Sequence, residues 1–218
     1  MEKTTNMGAK VYTPLTLKLY DWWVLGISNQ FAWLCPTKDV LLPHFTKYVG
    51  NEHLDIGVGT GFYLTHLPQG SLVSLMDINI SSLNAASHRV GVERVKDCIQ
   101  HDVFKPFPKK FHDKFDSISM FYLLHCLPGT LTEKSQAIAN ARDALSTNGV
   151  LYGATILGEE ANHNYFGKKL MNVYNAKRIF SNKADSKNTL QAMLSTYFYN
   201  VEIIQVGKVA LFCAQNKI

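Results

Sequence analysis

Three glycines at alternate positions, Gly57, Gly59 and Gly61, follow a short apolar run, His53-Leu54-Asp55-Ile56, and Asp55 stands two residues before the first of them. A strand that breaks into G-x-G-x-G sets tight backbone at the carboxyl end of a sheet, where open α/β sheets bind ligands. The dinucleotide fingerprint needs a glycine at the sixth position of G-x-G-x-x-G, and this chain has Phe62 there. A carboxylate as close as Asp55 repels a pyrophosphate and attracts a cation. Twenty residues after Gly57, the run Ser71 to Met76 ends at Asp77, where a carboxylate accepts hydrogen bonds from ribose hydroxyls. A third run, Val95 to His101, ends at Asp102, followed by Val103 and Phe104. Three acids at three successive strand ends, beside a glycine loop, describe a nucleoside pocket without phosphates. For each acid taken singly a second reading stands, since a strand-end aspartate also caps the helix that follows.

The elements that must carry these residues alternate along the chain. A helix-like segment at 37–49 opens with Thr37 as N-cap and stops before Gly50, with Pro43 arguing against an unbroken helix. A helix from Asn79 or Ser81 to Val90 is closed by Gly91. A Pro/Lys-rich loop at 105–114 leads into a strand from Phe115 to Phe121. Thr130 and Glu133 have capping-box spacing ahead of Ala137, Ile138, Ala141 and Leu145, a helix-periodic set. Asn148-Gly149 turns the chain into a strand at 150–156, and the closing runs 200–206 and 208–214 have only Gly207 between them. A connection that short permits only an antiparallel hairpin. The alternation predicts an α/β fold, a doubly wound and mostly parallel sheet that ends in an antiparallel hairpin. Two segments stand outside it. One is 12–36, where Thr13-Pro14 opens a helix with Leu15, Leu19, Trp22, Trp23 and Gly26 on one face; the other is the helix-like 161–185. Both are expected to act as lids over one edge of the sheet. The chain thus divides, within a single domain, into a cap at 1–36, a cofactor-binding core at 37–158, a helical insertion at 159–185, and a C-terminal helix with hairpin at 186–218.

With 46% hydrophobic and 18% charged residues in 218, the chain is outside the disordered class. No apolar run approaches the roughly 18 residues that span a bilayer, and the first fifteen residues lack the apolar stretch of a secretory signal. Cys35, Cys98, Cys126 and Cys213 are scattered, with no C-x-x-C pair. That spacing fits reduced thiols in the cytoplasm better than a disulfide framework or a zinc site. The formal charge of +5 is local: within 161–190, Lys168, Lys169, Lys177, Arg178, Lys183 and Lys187 face Asp185 alone. A solvated helix face is one reading of this insertion, and attraction of an anionic acceptor or surface is the other.

Taken in order, the motifs resemble those of the class I S-adenosylmethionine-dependent methyltransferases, over roughly residues 48–157. Leu54 to Gly61 resembles their glycine motif, Met76-Asp77-Ile78-Asn79 their ribose-binding strand end, and His101-Asp102-Val103 their adenine-contacting motif. Phe115 to His125 resembles the fourth strand and Leu145 to Leu151 the entry to the fifth, with Asn148 where a second glycine is common. The segment from Val11 to Thr37 is similar to the N-terminal region of some small stand-alone bacterial and fungal members. The resemblance implies a Rossmann-like, seven-stranded sheet and S-adenosyl-L-methionine as cofactor, released as S-adenosyl-L-homocysteine. It implies that Gly57, Gly59 and Gly61 admit the methionine end while Asp55 offsets its charge. Asp77 would bind the ribose, Ile78 would pack on adenine beside Asn79, and Asp102 would accept from the adenine amino group beside Val103. Met120 and Phe121 would supply backbone contacts, and Tyr20-Asp21 would fold over the cofactor.

Methyl transfer from a sulfonium is an in-line displacement with a neutral leaving group, so the protein supplies alignment and water exclusion. A base is needed only for an acceptor protonated at working pH. His125 and Tyr20 are the leading candidates, ahead of Tyr122, Tyr12 and His163; the alternative for His125 is a helix-entry histidine bonded to backbone. Met120-Phe121-Tyr122-Leu123 stands where nucleobase-amine methyltransferases carry a Pro-Pro-aromatic tetrad, and only Glu133 lies where arginine methyltransferases carry two glutamates. The aspartate by which catechol-type enzymes hold a metal is missing, so no metal is expected. Trp22, Trp23, Trp33 and Phe31, with Tyr165, Phe166 and Tyr174 in the second lid, favour a small apolar or aromatic methyl acceptor. No RNA-reading motif is visible, which disfavours nucleic acid as partner. Two other readings stay open: an RNA or protein methyltransferase docking through 161–190, and a non-catalytic cofactor-binding protein.

Overall fold

Strands fall where the apolar runs place them in residues 21–218, the residues described by the computed structural model. The Thr13-Pro14 helix start, and with it Tyr12, Leu15, Leu19 and Tyr20, lies outside the described residues. The strands are β1 (Glu52–Ile56), β2 (Leu72–Asp77), β3 (Val95–Gln100), β4 (Phe115–Phe121), β5 (Leu145–Ile156), β6 (Phe198–Val206) and β7 (Val209–Lys217). They form one sheet in the order β3-β2-β1-β4-β5-β7-β6. β1 to β5 run parallel, and β7 lies antiparallel between β5 and β6. The strand order reverses between β1 and β4, and the crevice at such a switch point is where these sheets take ligands. Asp55 on β1 is in register with Ser119 on β4, so both reach that crevice edge from adjacent strands.

Among the described residues five α-helices cover the sheet: α1 (Leu42–Tyr48), α2 (Ile80–Val90), α3 (Leu131–Ala144), α4 (Tyr165–Ala176) and α5 (Lys187–Ser195). Phe45 of α1 with Leu83 and Ala86 of α2 packs one face, while Ile138 of α3 with Leu190 and Met193 of α5 packs the other. The doubly wound arrangement follows from these two apolar stripes. α2 begins where the Asn79 side chain accepts from Ser81 N–H at 2.8 Å, and stops at Gly91, whose φ of 95° suits glycine. The capping box of Thr130 and Glu133 opens α3, and Ser186 and Thr189 make a second one ahead of α5.

Three boundaries differ from the sequence expectation, each for a local reason. The helix expected over 37–49 is split into a π-type turn, Thr37–Leu41, and α1, with Pro43 in the first turn of α1 where its missing N–H costs nothing. β5 begins at Leu145 rather than 150. Leu145 pairs with Phe115, the register then jumps to Val150 opposite Ser117, and Asn148-Gly149 bulges out between them. A Cβ on Gly149 would lie 2.8 Å from the Phe115 carbonyl oxygen, so the bulge needs glycine. The insertion is α-helical only over α4, after a single 3-10 turn at Glu159–Ala161. Its remainder is a loop held from beneath by Lys134 of α3, whose Nζ lies 2.7 Å from both Asp185 Oδ2 and the Ser181 carbonyl.

Residues Asp21–Ala32 form a π-helix, and Trp33 N–H donates to the Ser28 carbonyl five residues back at 2.9 Å. Helices of this pitch are uncommon and cluster at functional sites. It lies against α4: Trp23 Nε1 donates to Tyr174 OH at 3.0 Å, and Asn164 Nδ2 donates to the Phe31 carbonyl at 2.8 Å. The described part of the first expected lid is therefore packed directly on the second. Among the described residues no helix is long and apolar enough to cross a membrane, and no three His, Cys, Asp or Glu side chains are grouped to hold a metal. All four cysteines are free thiols.

Candidate active site

The loop after β1 runs through three left-handed glycines, with φ of 78° at Gly57, 52° at Gly59 and 70° at Gly61. A Cβ on Gly61 would sit 2.8 Å from Ala86 Cα, so glycine here lets α2 press directly on the loop. Asp55 lies beneath, buried, and accepts from the Ser119 hydroxyl. Burial pushes its carboxyl up to about 7; Ser119 pulls the value down, and the neighbouring Asp77 adds to the rise. Asp77 ends β2 half-buried and accepts from Asn79 N–H at 2.8 Å. Burial takes it up to about 6, against the amides of Asn79, Gly59 and Val58 that favour its charged form.

One groove brings together Asp55, the loop from Gly57 to Thr60, and Phe121 with Tyr122 at the end of β4, roofed by Leu25 of the π-helix. Asp77, Ile78 and Asn79 occupy the adjacent strand end, and Asp102 the next, with Val103 buried behind it. Asp102 Oδ1 accepts from Phe104 N–H at 3.0 Å, and Asn140 Nδ2 fixes the Val103 carbonyl at 2.8 Å. The Asn79 side chain is engaged as the cap of α2. Met120 is fully buried in the sheet, so Phe121 and Tyr122 form the groove wall at this strand end.

Tyr122 holds a φ of 59°, a conformation costly for an aromatic residue and often found at active sites. Tyr122 N–H donates to the Ala154 carbonyl at 2.8 Å, and its hydroxyl donates to Asn29 Oδ1 of the π-helix at 2.8 Å. His125 is buried between the rings of Tyr122 and Phe180, with centroids at 5.4 and 4.5 Å. Its Nδ1 accepts from Ile156 N–H at 3.2 Å. Burial, with Lys134 adding, lowers its pKa to about 3. The neutral ring therefore carries its proton on Nε2 and presents a donor there. His163 Nε2 donates to the carbonyls of Leu157 and Gly158 at 3.0 and 2.9 Å.

Asp21, expected over the cofactor, has partners that local spacing does not signal. Asp21 accepts from the Thr60 hydroxyl at 2.6 Å and pairs with Arg89 of α2, whose guanidinium also reaches Thr60 Oγ1 at 3.1 Å. This cluster pins the π-helix to the glycine loop across 39 residues of sequence and to α2 across 68. The buried acids have a pH consequence. A cationic ligand needs Asp55 and Asp77 ionised, so affinity for one is expected to tighten as pH rises from about 5 to 8, read by calorimetry. Stability of the free protein runs the other way. Between about pH 4 and 7 the folded state holds protons that the unfolded state has lost, so these two groups lower stability as pH rises through that window.

A crevice at the switch point of a doubly wound sheet, with Asp55 and Asp77 around a glycine loop, places the chain among the open-sheet α/β proteins. The chain belongs to the class I S-adenosylmethionine-dependent methyltransferase family. A family model described as a methyltransferase domain matches residues 54–151. The chain is 58% identical over 193 residues to the Escherichia coli (strain K12) protein YbcY, covering 88% of this chain and 100% of that one. It is 40% identical over 214 residues to the physcion biosynthesis cluster O-methyltransferase of Aspergillus chevalieri, covering 97% of this chain and 96% of the relative. A solved S-adenosylmethionine-dependent methyltransferase from Aquifex aeolicus shares the fold with a TM-score of 0.61 at 18% identity, over 94% of this chain and 99% of that one.

Proposed function

We propose that this chain transfers a methyl group from S-adenosyl-L-methionine to a small apolar or aromatic molecule, with a hydroxyl oxygen as the favoured acceptor atom. The observation that carries the reading is the pair of acids, buried Asp55 and half-buried Asp77, at adjacent strand ends around left-handed glycines. Such acids fit a ligand with positive charge at one end and a ribose diol in the middle. When bound, the cofactor supplies an electrophilic methyl with a neutral thioether behind it.

The chain's own residues do the rest. Gly57, Gly59 and Gly61 admit the methionine portion, Asp55 faces its ammonium, and Asp77 accepts from the ribose hydroxyls. Ile78 and Val103 flank the adenine, and Asp102 accepts from its amino group. Phe121, Tyr122 and the π-helix exclude water from the transfer. Behind Tyr122, the buried and neutral His125 packs against its ring. Several relatives bear the name O-methyltransferase, which supports oxygen as the acceptor atom. The aromatic contact of Trp23 with Phe166, centroids 6.4 Å apart, supports an apolar acceptor under the joined lids.

The deciding experiment incubates the protein with isotopically labelled S-adenosyl-L-methionine and a small-molecule extract, followed by mass spectrometry. A labelled small molecule is expected. Label confined to RNA or protein would move the function to macromolecule methylation through the basic insertion, and cofactor binding without consumption would make the chain a non-catalytic binder.

A further inference from the structure

A chain of side-chain hydrogen bonds runs back from Asp55 through the sheet, and methyl transfer as described above does not use it. Asp55 Oδ1 contacts Ser119 Oγ, which lies 3.0 Å from His53 Nε2; His53 Nδ1 lies 2.8 Å from Ser117 Oγ. Ser117 Oγ accepts from Gly50 N–H at 2.8 Å and lies 3.3 Å from Asp116 Oδ1. His53, Ser117 and Ser119 are all at most 1% exposed. Asp116 at the far end reaches the surface, where Asn51 N–H and Glu52 N–H donate to its Oδ2 at 3.0 and 3.2 Å.

This chain can be filled with hydrogens in two complete ways. With Asp55 ionised, His53 Nε2–H donates to Ser119, Ser119 donates to Asp55, and Ser117 donates to His53 Nδ1. With Asp55 protonated, Asp55 donates to Ser119, Ser119 to His53 Nε2, His53 Nδ1–H to Ser117, and Ser117 to Asp116. The two differ by one proton and by the tautomer of His53. A concerted shift of one hydrogen along each bond interconverts them, with the extra proton leaving or entering at Asp116. Neither leaves a buried donor or acceptor unmatched, whereas a ring fixed in one tautomer would strand one in the other state, at a cost typical of buried polar groups.

We propose that His53, with Ser119 and Ser117, is a positioning relay for Asp55, which keeps that carboxyl fully hydrogen-bonded in both protonation states and changes tautomer as cofactor binding drives Asp55 into its charged form. The inference rests on the reading that Asp55 faces the cofactor's ammonium. The surroundings agree with it. Burial holds the His53 pKa down at about 3, so the ring stays neutral while Asp55, pushed up to about 7, titrates. The other groups around the pair are Asp77 from β2, Asp116 from β4 and Tyr152 from β5, whose hydroxyl burial keeps protonated.

The test follows the ring nitrogens of His53 by NMR in 15N-labelled protein without ligand, from about pH 5 to 9. The expected result is a proton on Nδ1 at low pH and on Nε2 at high pH, and one fixed tautomer throughout in Asp55→Asn. Adding S-adenosyl-L-homocysteine near pH 6 is expected to move the wild-type ring to the Nε2–H form. Calorimetry in buffers of different ionisation enthalpy should then show about half a proton released per ligand at pH 7. A single tautomer across the pH range, or a doubly protonated ring, overturns the relay, and the wild-type titration reads this without any variant having to fold. The cofactor reading fails separately, through unchanged ligand affinity in Asp55→Asn.

Discussion

Asp77→Ala is expected to weaken binding of S-adenosyl-L-methionine about 100-fold or more at pH 8, measured by calorimetry, with the melting temperature little changed. A ribose diol gives a strand-end carboxylate two charge-assisted hydrogen bonds, each worth about 1.5–3 kcal/mol. Losing both removes at least two decades of affinity. The same change is nearly neutral for folding, because burial already holds the Asp77 carboxyl above its ordinary value. Alanine removes that unfavourable charge together with the support it draws from the amides of Asn79, Gly59 and Val58, two opposing effects. Gly59→Val should abolish binding by a different route, since a β-branched residue cannot hold the φ of 52° that the loop needs. It should also cost stability, and so the two variants separate loss of a ligand contact from loss of the loop. Full affinity in both would mean that the nucleoside lies elsewhere.

The parts of this site legible in the sequence are those made by neighbours along the chain. β4 occupies the predicted Phe115 to Phe121, a short stretch in which Phe115, Ile118, Met120 and Phe121 are buried. The acids at 55, 77 and 102 and the glycine loop are local signals of the same kind. What spacing does not carry is pairing at a distance. Asp21 meets Thr60 and Arg89, Tyr122 meets Asn29, and Trp23 meets Tyr174 only after the sheet has brought the elements together. His53 reads as one more residue of an apolar run, and its role shows only when β4 lays Ser117 and Ser119 against both ring nitrogens. His125 is the converse. It stands out by position after the fourth strand, while its Nδ1 is taken by the amide of Ile156, 31 residues away. The basic segment 161–190 resolves similarly: its single acid, Asp185, is buried against Lys134, and its six cations are exposed.

That burial makes Lys134→Ala the substitution expected to cost the most stability. The two side chains are 0% and 2% exposed, so solvent screens neither charge. Burial lowers the Lys134 pKa and raises that of Asp185 despite their mutual attraction, so desolvation outweighs the pairing for both partners. Removing one partner strands the other charge and leaves the Ser181 carbonyl without its donor, at about 3–5 kcal/mol. In a domain of this size that is a drop of about 6–20 °C in melting temperature. Replacing both, Lys134→Met with Asp185→Leu, is expected to recover most of that loss, because an apolar pair of similar volume carries no desolvation penalty. The loop from Lys177 to Ser186 joins α4 to α5, and the ion pair ties its far end to α3 beneath the sheet. The double variant should therefore regain its melting temperature while methyl transfer stays impaired, if the pair's contribution is to hold the lid loop in one register. Full activity in the double variant would reduce the pair to a replaceable core contact, and a fall of under about 2 °C in Lys134→Ala would show that the loop relaxes to let water reach Asp185.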